Sequence, residues 1–557
     1  MMTIPKVRIK ARKPKTKTGC RTCRIRRIKC DEEKPSCRRC TSTARKCDGY
    51  DAPAALSEDL VHRPALPPSK FAVTSPLPLQ MASSLELSEE EAIGFDFFRS
   101  KTAIEIQGCY RTTLWQSLIL QITQHEPSVL HAAIAVGCAH RKYAGRSGSS
   151  LATDVYDQRQ FFGLKQYLKA ISSLRSRIHD LEDPESSRIA LVTCLLFICH
   201  EMFRGERVGA ISHLTTGLRI LASRTTPQSL AEPSSLVLRH YSEDVQDQLV
   251  SIFARLDYDS TMFGQQSPRF SLYPAQKTTN EDISIPSTFS SLSEAREYVD
   301  ILASGVLRFR GNLLGLASFA VSNRSLDFIT QLLWDHASAR TVDLSEHPRL
   351  LTELRRLGDG LAIWSAAFKS FKNRLSPAQR DSDSAALVLL EIQHFYPYIL
   401  LSTAQTTKEK YFDSFNHNFK LIVSLASSYI DTTNSSETLF TLDSGVLPSL
   451  YITAVKCRQR ETRRQAIALL RKARCQEGMW EGAFIAGFVE RIADIEEGRP
   501  ADADKFEDVS EIPEEARFCD VALAVTDDPT KGKLICARYC HETDGKLMVW
   551  DDYFSLA

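Results

Sequence analysis

The chain has 557 residues, 43% hydrophobic and 25% charged, with a formal net charge of +2. That is the composition of a soluble globular protein of three or four average domains, or of one small module joined to a large one. Its longest apolar run, "IALVTCLLFIC" at residues 189–199, falls short of the ~20 residues a span requires and reads as a buried core helix.

The N-terminus, "MMTIPKVRIKARKPKTK", has no apolar core of the kind a secretory signal needs. Residues 1–18 read instead as a basic arm for nuclear import or a nonspecific phosphate grip. Residues 1–49 hold seventeen Lys and Arg against four Asp and Glu, a surplus of +13 that leaves −11 on residues 50–557. A basic arm on an acidic body is the charge pattern of a polyanion binder with a separate second domain.

Residues 19–48 hold six of the fifteen cysteines: Cys20, Cys23, Cys30, Cys37, Cys40 and Cys47. The spacing is C-x2-C-x6-C, given twice. The other nine cysteines show no disulfide-framework spacing, which favours a reducing, intracellular setting. Zinc explains both the doublets and the repeat, since C-x2-C closes two thiolates on one metal at about 2.3 Å. Structural zinc takes four ligands, so six sulfurs serve two ions only if two of them bridge. The repeat makes the bridging pair equivalent by symmetry: Cys20/Cys37, Cys23/Cys40 or Cys30/Cys47.

This stretch resembles the fungal binuclear zinc-cluster (Zn2Cys6) transcription factors. The resemblance implies two Zn2+ ions, with Cys20 and Cys37 bridging, and a proline in the loop between halves, here Pro35. It implies that a short helix starting near Cys20 enters the major groove of double-stranded DNA. The basic pair Arg26 and Arg27 would then read base edges of a CGG-like half-site. The family commonly has lysine at the principal reader, so Arg27 departs from the pattern, although arginine bonds guanine O6 and N7 bidentately. Arg24 and Lys29 are assigned to phosphates, which position a module without reading sequence. Asp31, Glu32 and Glu33, between the halves, are expected to face solvent, away from DNA.

Residues 49–87 read as an extended or disordered linker, with six prolines between residues 51 and 80. No heptad run follows the cluster, so a homodimer would have to form elsewhere. Residues 88–510 read as a large α-helical domain. Ser88 with Glu91 makes a capping box, and Pro127 stands in a favoured first turn. Leu354, Leu357, Leu361, Trp364 and Phe368 share one helical face, as do Phe484, Phe488, Ile492 and Ile495. Breaks fall near residues 264–294, 374–384 and 498–514. Phrases such as "HEPSVLHAAIAVG" and "FARLDYDSTMFG" resemble the helical regulatory domain found behind such clusters, which implies regulatory duties and, in some members, a small-molecule effector. Residues 511–557 read as three short strands with turns at residues 527–532 and 543–545, packed on the helices. The fold class is therefore mostly α, with a zinc cluster, a proline-rich linker, a helical body and a short C-terminal β segment.

An enzyme is the main rival class. "HEMFR" at His200 lacks the second imidazole of a zinc-protease helix, because Arg204 holds its fifth position. There is no P-loop and no G-x-S-x-G elbow. His125 and His131 fall on different sides of a helix, and Phe95, Phe97 and Phe98 read as core. A second rival is a zinc-cluster RNA-binding or architectural protein, but the aromatics that stack on RNA bases are absent between Cys20 and Cys47. The reading is a sequence-specific, nuclear, RNA polymerase II-type transcription regulator with DNA as partner and no membrane. It would act as a homodimer or with other regulators, on metabolic or secondary-metabolite genes.

Overall fold

The computed structural model describes residues 20–26, 28, 30, 31, 33–43, 45–48, 87–145, 153–177, 183–223, 235–238, 244–261, 267–274, 284–321, 328–433, 440–473, 476–498, 512–525, 531–540 and 546–555. The basic arm, most of the linker, Glu32, Arg27 and Lys29 lie outside them, as does the side chain of Arg24. The chain divides into two units, Met1–Ser83 and Ser84–Ala557. Among its described residues the first holds two short helices, Arg21–Ile25 and Arg38–Thr41, around the cysteines.

The second unit is helical, and its helices begin where their caps dictate. Ser88 accepts from the Glu91 backbone while the Glu91 carboxylate takes the Ser88 N–H, which starts the helix Glu89–Phe97. Pro127 opens Pro127–Gly145. Asp183 caps Pro184–Arg204 at 2.9 Å from the Ser186 nitrogen, and that helix stops at Gly205 (φ 79°), a left-handed position suited to glycine. Pro184–Arg204 and Ser384–Ser402 are long and apolar enough to cross a membrane. The first is buried from Ile189 to Phe203 inside the protein, so its apolarity serves packing.

Among the described residues, two large apolar cores result. One gathers Phe98, Trp115, Val136, Leu195, Phe203, Leu214 and Phe253. There the helices Glu89–Phe97 and Pro127–Gly145 cross closely enough that a side chain at Gly137 would strike the Gly94 carbonyl. The other gathers the helices Leu292–Val321, Pro348–Arg374, Ser384–Ser402, Asn416–Thr433, Leu447–Lys456, Arg460–Lys472 and Gly482–Glu496. Leu357, Leu361, Trp364 and Phe368 are buried on one face as the periodicity predicts, with Leu354 packed at its margin. Trp364 stacks on Phe368 (4.7 Å) and His394 (5.0 Å), and donates to the Ala295 carbonyl at 2.8 Å. Phe488 and Ile492 are buried in the same core, with Phe484 and Ile495 partly so.

The C-terminal strands Asp520–Val525, Lys531–Cys540 and Lys546–Ser555 form an antiparallel sheet in that order, in register Asp520↔Ala537 and Lys531↔Ser555. The central strand is covered on both faces. Leu534 and Cys536 enter the large core, while Ile535 and Ala537 pack on Leu333 and Ala337 of the helix Phe328–Ala339. A buried ion network fastens this end to the helices. Glu409 meets Arg340 (2.8 Å), Lys456 (3.0 Å) and Arg458 (3.1 Å), and Glu496 meets Arg458 (2.8 Å) and Arg463 (2.6 Å). Lys456 also donates to the Cys519 carbonyl at 2.8 Å, and the Phe518 N–H donates to Glu496 at 2.6 Å. Two short parallel ladders, Ser235–Leu238 with Ser271–Pro274 and Phe440–Thr441 with Gln476–Glu477, were not expected from the sequence.

Candidate metal centre and nucleic-acid interface

Both halves of the cysteine repeat fold alike. A helix follows the first cysteine of each half, Arg21–Ile25 after Cys20 and Arg38–Thr41 after Cys37. One helical turn brings the chain back to the same face, so Cys23 returns beside Cys20 and Cys40 beside Cys37. The backbone N–H of Cys23 points at the Cys20 sulfur, and that of Cys20 at the Cys30 sulfur, both at 3.4 Å. Cys20, Cys23, Cys37 and Cys40 are fully buried, Cys30 and Cys47 partly so, and none forms a disulfide.

The sulfur separations are 3.5 Å for Cys20–Cys37, 3.7 Å for Cys23–Cys37, and 3.9 Å for both Cys20–Cys40 and Cys23–Cys40. Two thiolates on one tetrahedral zinc, each bonded at about 2.3 Å, stand roughly 3.8 Å apart. The donor atoms fall into two sets of four, Cys20, Cys37, Cys40, Cys47 and Cys20, Cys23, Cys30, Cys37, each within 4.8 Å. The sets overlap in Cys20 and Cys37, so six sulfurs offer eight coordination positions. This donor set fits two zinc ions. Burial pushes the Cys20 and Cys37 thiols up, and a cation between them is what allows such crowded thiols to ionise.

The loop between the halves is not idle. Asp31 accepts from the backbone N–H of Arg38 at 3.0 Å and of Arg39 at 2.8 Å, tying the first half to the start of the second helix. Glu33 pairs with Arg38 at 3.2 Å. Asp31 and Glu33 are solvent-exposed, as expected, but Asp31 carries a positioning task that the sequence reading did not give it. At the far end Thr22 donates to Asp48 at 2.8 Å and accepts from its backbone N–H at 3.0 Å, closing the module. Neither partner follows a local capping pattern, so only the folded chain reveals them.

Arg26 is exposed at the end of the first helix, as are Arg38, Arg39, Arg45 and Lys46 elsewhere on the module. Its neighbour Ile25 is 79% exposed. The helical body offers no comparable chemistry at the sequence's rival site. His200 is buried, stacked on Tyr167 (4.7 Å), with Glu201 held by Arg204 at 3.3 Å. Phe98 is core.

Residues 18–56 match the fungal Zn(2)-Cys(6) binuclear cluster domain, and residues 95–307 the fungal specific transcription factor domain. Over 277 residues the chain is 32% identical to the aspercryptin biosynthesis cluster-specific transcription regulator atnN of Emericella nidulans, an overlap covering 46% of this chain and 41% of that one. Over 228 residues it is 27% identical to the transcription regulator lscL of Purpureocillium lilacinum, covering 40% and 52%. A shorter stretch of 78 residues is 50% identical to the transcriptional regulatory protein moc3 of Schizosaccharomyces pombe, covering 14% and 15%. The chain thus spans about half the length, or less, of these relatives. No solved structure matches it.

Proposed function

We propose, from the premise that this chain carries a fungal Zn2Cys6 cluster domain and a fungal-specific transcription factor domain, that it is a nuclear regulator of transcription that reads double-stranded DNA. That family consists of transcription factors, not enzymes. The carrying observation is the pair of overlapping four-thiol sets on a module with exposed arginines. In this reading Cys20 and Cys37 bridge two zinc ions, and Arg26 and Arg27 read a CGG-like half-site in the major groove. Arg24 and Lys29 grip phosphates. Six thiolates and two Zn2+ sum to −2, so residues 1–49 keep a surplus of +11 for a polyanion.

One half-site recurs too often in a genome to direct regulation alone. The helical body is assigned the missing selectivity, by self-association or by docking another regulator. The name of the Emericella relative supports a secondary-metabolite gene cluster as the target. The test is a competition among duplex DNA, duplex RNA and single-stranded RNA for the zinc-loaded full chain at fixed salt. Duplex DNA should win. A preference for RNA would replace this reading with an RNA-binding one.

A further inference from the structure

The helix Thr153–Arg177 packs one side into the core around Phe98 and Leu195 and leaves another side bare. Gly163, Gln166 and Ala170 are buried on the packed side, with Tyr167 and Leu174 partly so. Neighbouring helices close that face. Tyr167 lies 4.6 Å from Phe197 and hydrogen-bonds His213 at 2.7 Å, and Gln166 donates to Glu91 at 2.8 Å.

The bare side is apolar. Phe161 is 71% exposed, Leu168 58% and Leu164 38%, and the partly buried Ile171 continues the row. At about 100° per residue these four form one stripe, roughly a third of the way around the helix from the buried face. Single exposed apolar residues are ordinary, whereas a contiguous row marks an interaction surface. Among the described residues, no other helix or strand exposes three large hydrophobic side chains.

The row is its own complement when reversed. Positions 157, 161, 164, 168, 171 and 175 alternate steps of four and three, the spacing of a helix–helix seam. Turned end for end about position 166, the row maps onto itself. Leu164 of one copy falls opposite Leu168 of the other, Phe161 opposite Ile171, and position 157, an aspartate, opposite Arg175. The helix also begins with acidic Asp154 and ends with basic Arg177, so an antiparallel copy joins unlike ends and a parallel one joins like ends. A slip of one heptad would set Leu164 against Arg175 and carry Phe161 past the end of the other helix.

We propose that this row is a two-fold interface, at which two copies of the chain pair through antiparallel helices Thr153–Arg177. A two-fold axis uses one patch twice and requires it to be self-complementary. A second copy fits better than a different regulator, because a foreign partner would not need the row's own two ends to match in charge. The inference rests on the reading that the body self-associates and names the surface that does it. It needs no DNA. A dimer carries two cysteine modules, so paired half-sites gain from the linkage of two binders.

The test is sedimentation equilibrium of the zinc-loaded full chain without DNA, with circular dichroism as the check on folding. The natural chain should be a concentration-dependent dimer. Leu168→Arg should keep its helical signal and raise the dimer dissociation constant at least about tenfold. Asp157→Arg sets arginine against arginine at both ends of the seam and should weaken pairing by roughly threefold or more. Adding Arg175→Asp to it should restore the natural constant. A monomeric natural chain would overturn both this interface and self-association of the body, and would leave DNA reading standing. A dimer unmoved by Leu168→Arg would overturn the interface alone. A dimer unmoved by Asp157→Arg, or not rescued by the second change, would overturn the antiparallel pairing.

Discussion

The sulfurs of Cys20 and Cys37 lie 3.5 Å apart, and these two residues alone belong to both four-thiol sets of the cysteine module. Cys47 and Cys30 each serve one set. The asymmetry separates the consequences of losing one thiol or another. In native mass spectrometry of the full chain, Cys47→Ala should retain one zinc ion through the intact set of Cys20, Cys23, Cys30 and Cys37. Cys37→Ala should lose both, because each remaining set is left with three ligands. Equal zinc content in the two variants would place the shared ligand elsewhere.

The arm and the helix should fail differently. Arg27→Ala should flatten preference among duplex sequences, removing about 1–3 kcal/mol of discrimination at one base pair. Neutralising Lys10, Arg12 and Lys13 should weaken all sequences alike and reduce the slope of log K against log salt by roughly 2–3. A change of preferred triplet in the arm variant would show that the arm reads sequence.

Asp31 should matter for the metal although it binds none. Asp31→Ala releases the Arg38 and Arg39 N–H groups and loosens the second helix, on which Cys40 sits. The variant should still load two zinc ions but yield them to a competing chelator faster than the natural chain does. Asp31→Asn, which keeps an acceptor oxygen, should fall between them. Unchanged release from Asp31→Ala would leave the contact without a role.

The ion network that holds the C-terminal segment should set an acid limit on stability. Burial alone would raise the Glu496 carboxyl, but Arg458 and Arg463 beside it, with the Phe518 N–H, bring it down to about 2. A carboxyl depressed in the folded chain adds stability above its unfolded value near 4.3, and that stability drains away as pH falls toward 2. Thermal unfolding should therefore drop between pH 5 and 2. Glu496→Gln should be less stable at pH 7, by about 3 kcal/mol, because it leaves buried guanidinium groups unbalanced. Its acid decline should also be shallower. An identical pH profile in the variant would assign the acid limit to other groups.

The backbone N–H groups of Gly445, Val446 and Leu447, which all donate to Glu477 at 2.8–3.1 Å, give a test of packing apart from charge. Glu477→Ala strands three buried backbone N–H groups and should cost about 3 kcal/mol or more in denaturant unfolding. A loss of under about 1 kcal/mol would mean that water replaces the carboxylate.

What the sequence made legible follows from which interactions are local. The C-x2-C doublets, the Ser88–Glu91 box, Pro127 and the face of Leu357, Leu361, Trp364 and Phe368 each depend on residues within one or two helical turns. Their spacing therefore carries them. The apolar run of residues 534–537, all four of them buried, likewise shows as a strand in the sequence. The overlap of the two four-thiol sets in Cys20 and Cys37 is different, since symmetry alone left three equivalent pairs and the overlap shows only in the folded distances. Asp31 reaches a helix seven residues on, and Glu409 meets partners from Arg340 to Arg458, so no local pattern could announce either. The ladder of Phe440–Thr441 with Gln476–Glu477 is two residues long and too short to leave a period.

The central claim is that the zinc-loaded module reads duplex sequence, and selection from a random duplex pool tests it most directly. The full chain with two zinc ions should enrich CGG-like triplets. The enrichment should vanish when the metal is chelated and should flatten in Arg27→Ala. A pool that stays random with zinc bound, or that enriches the same triplets after chelation, would contradict it.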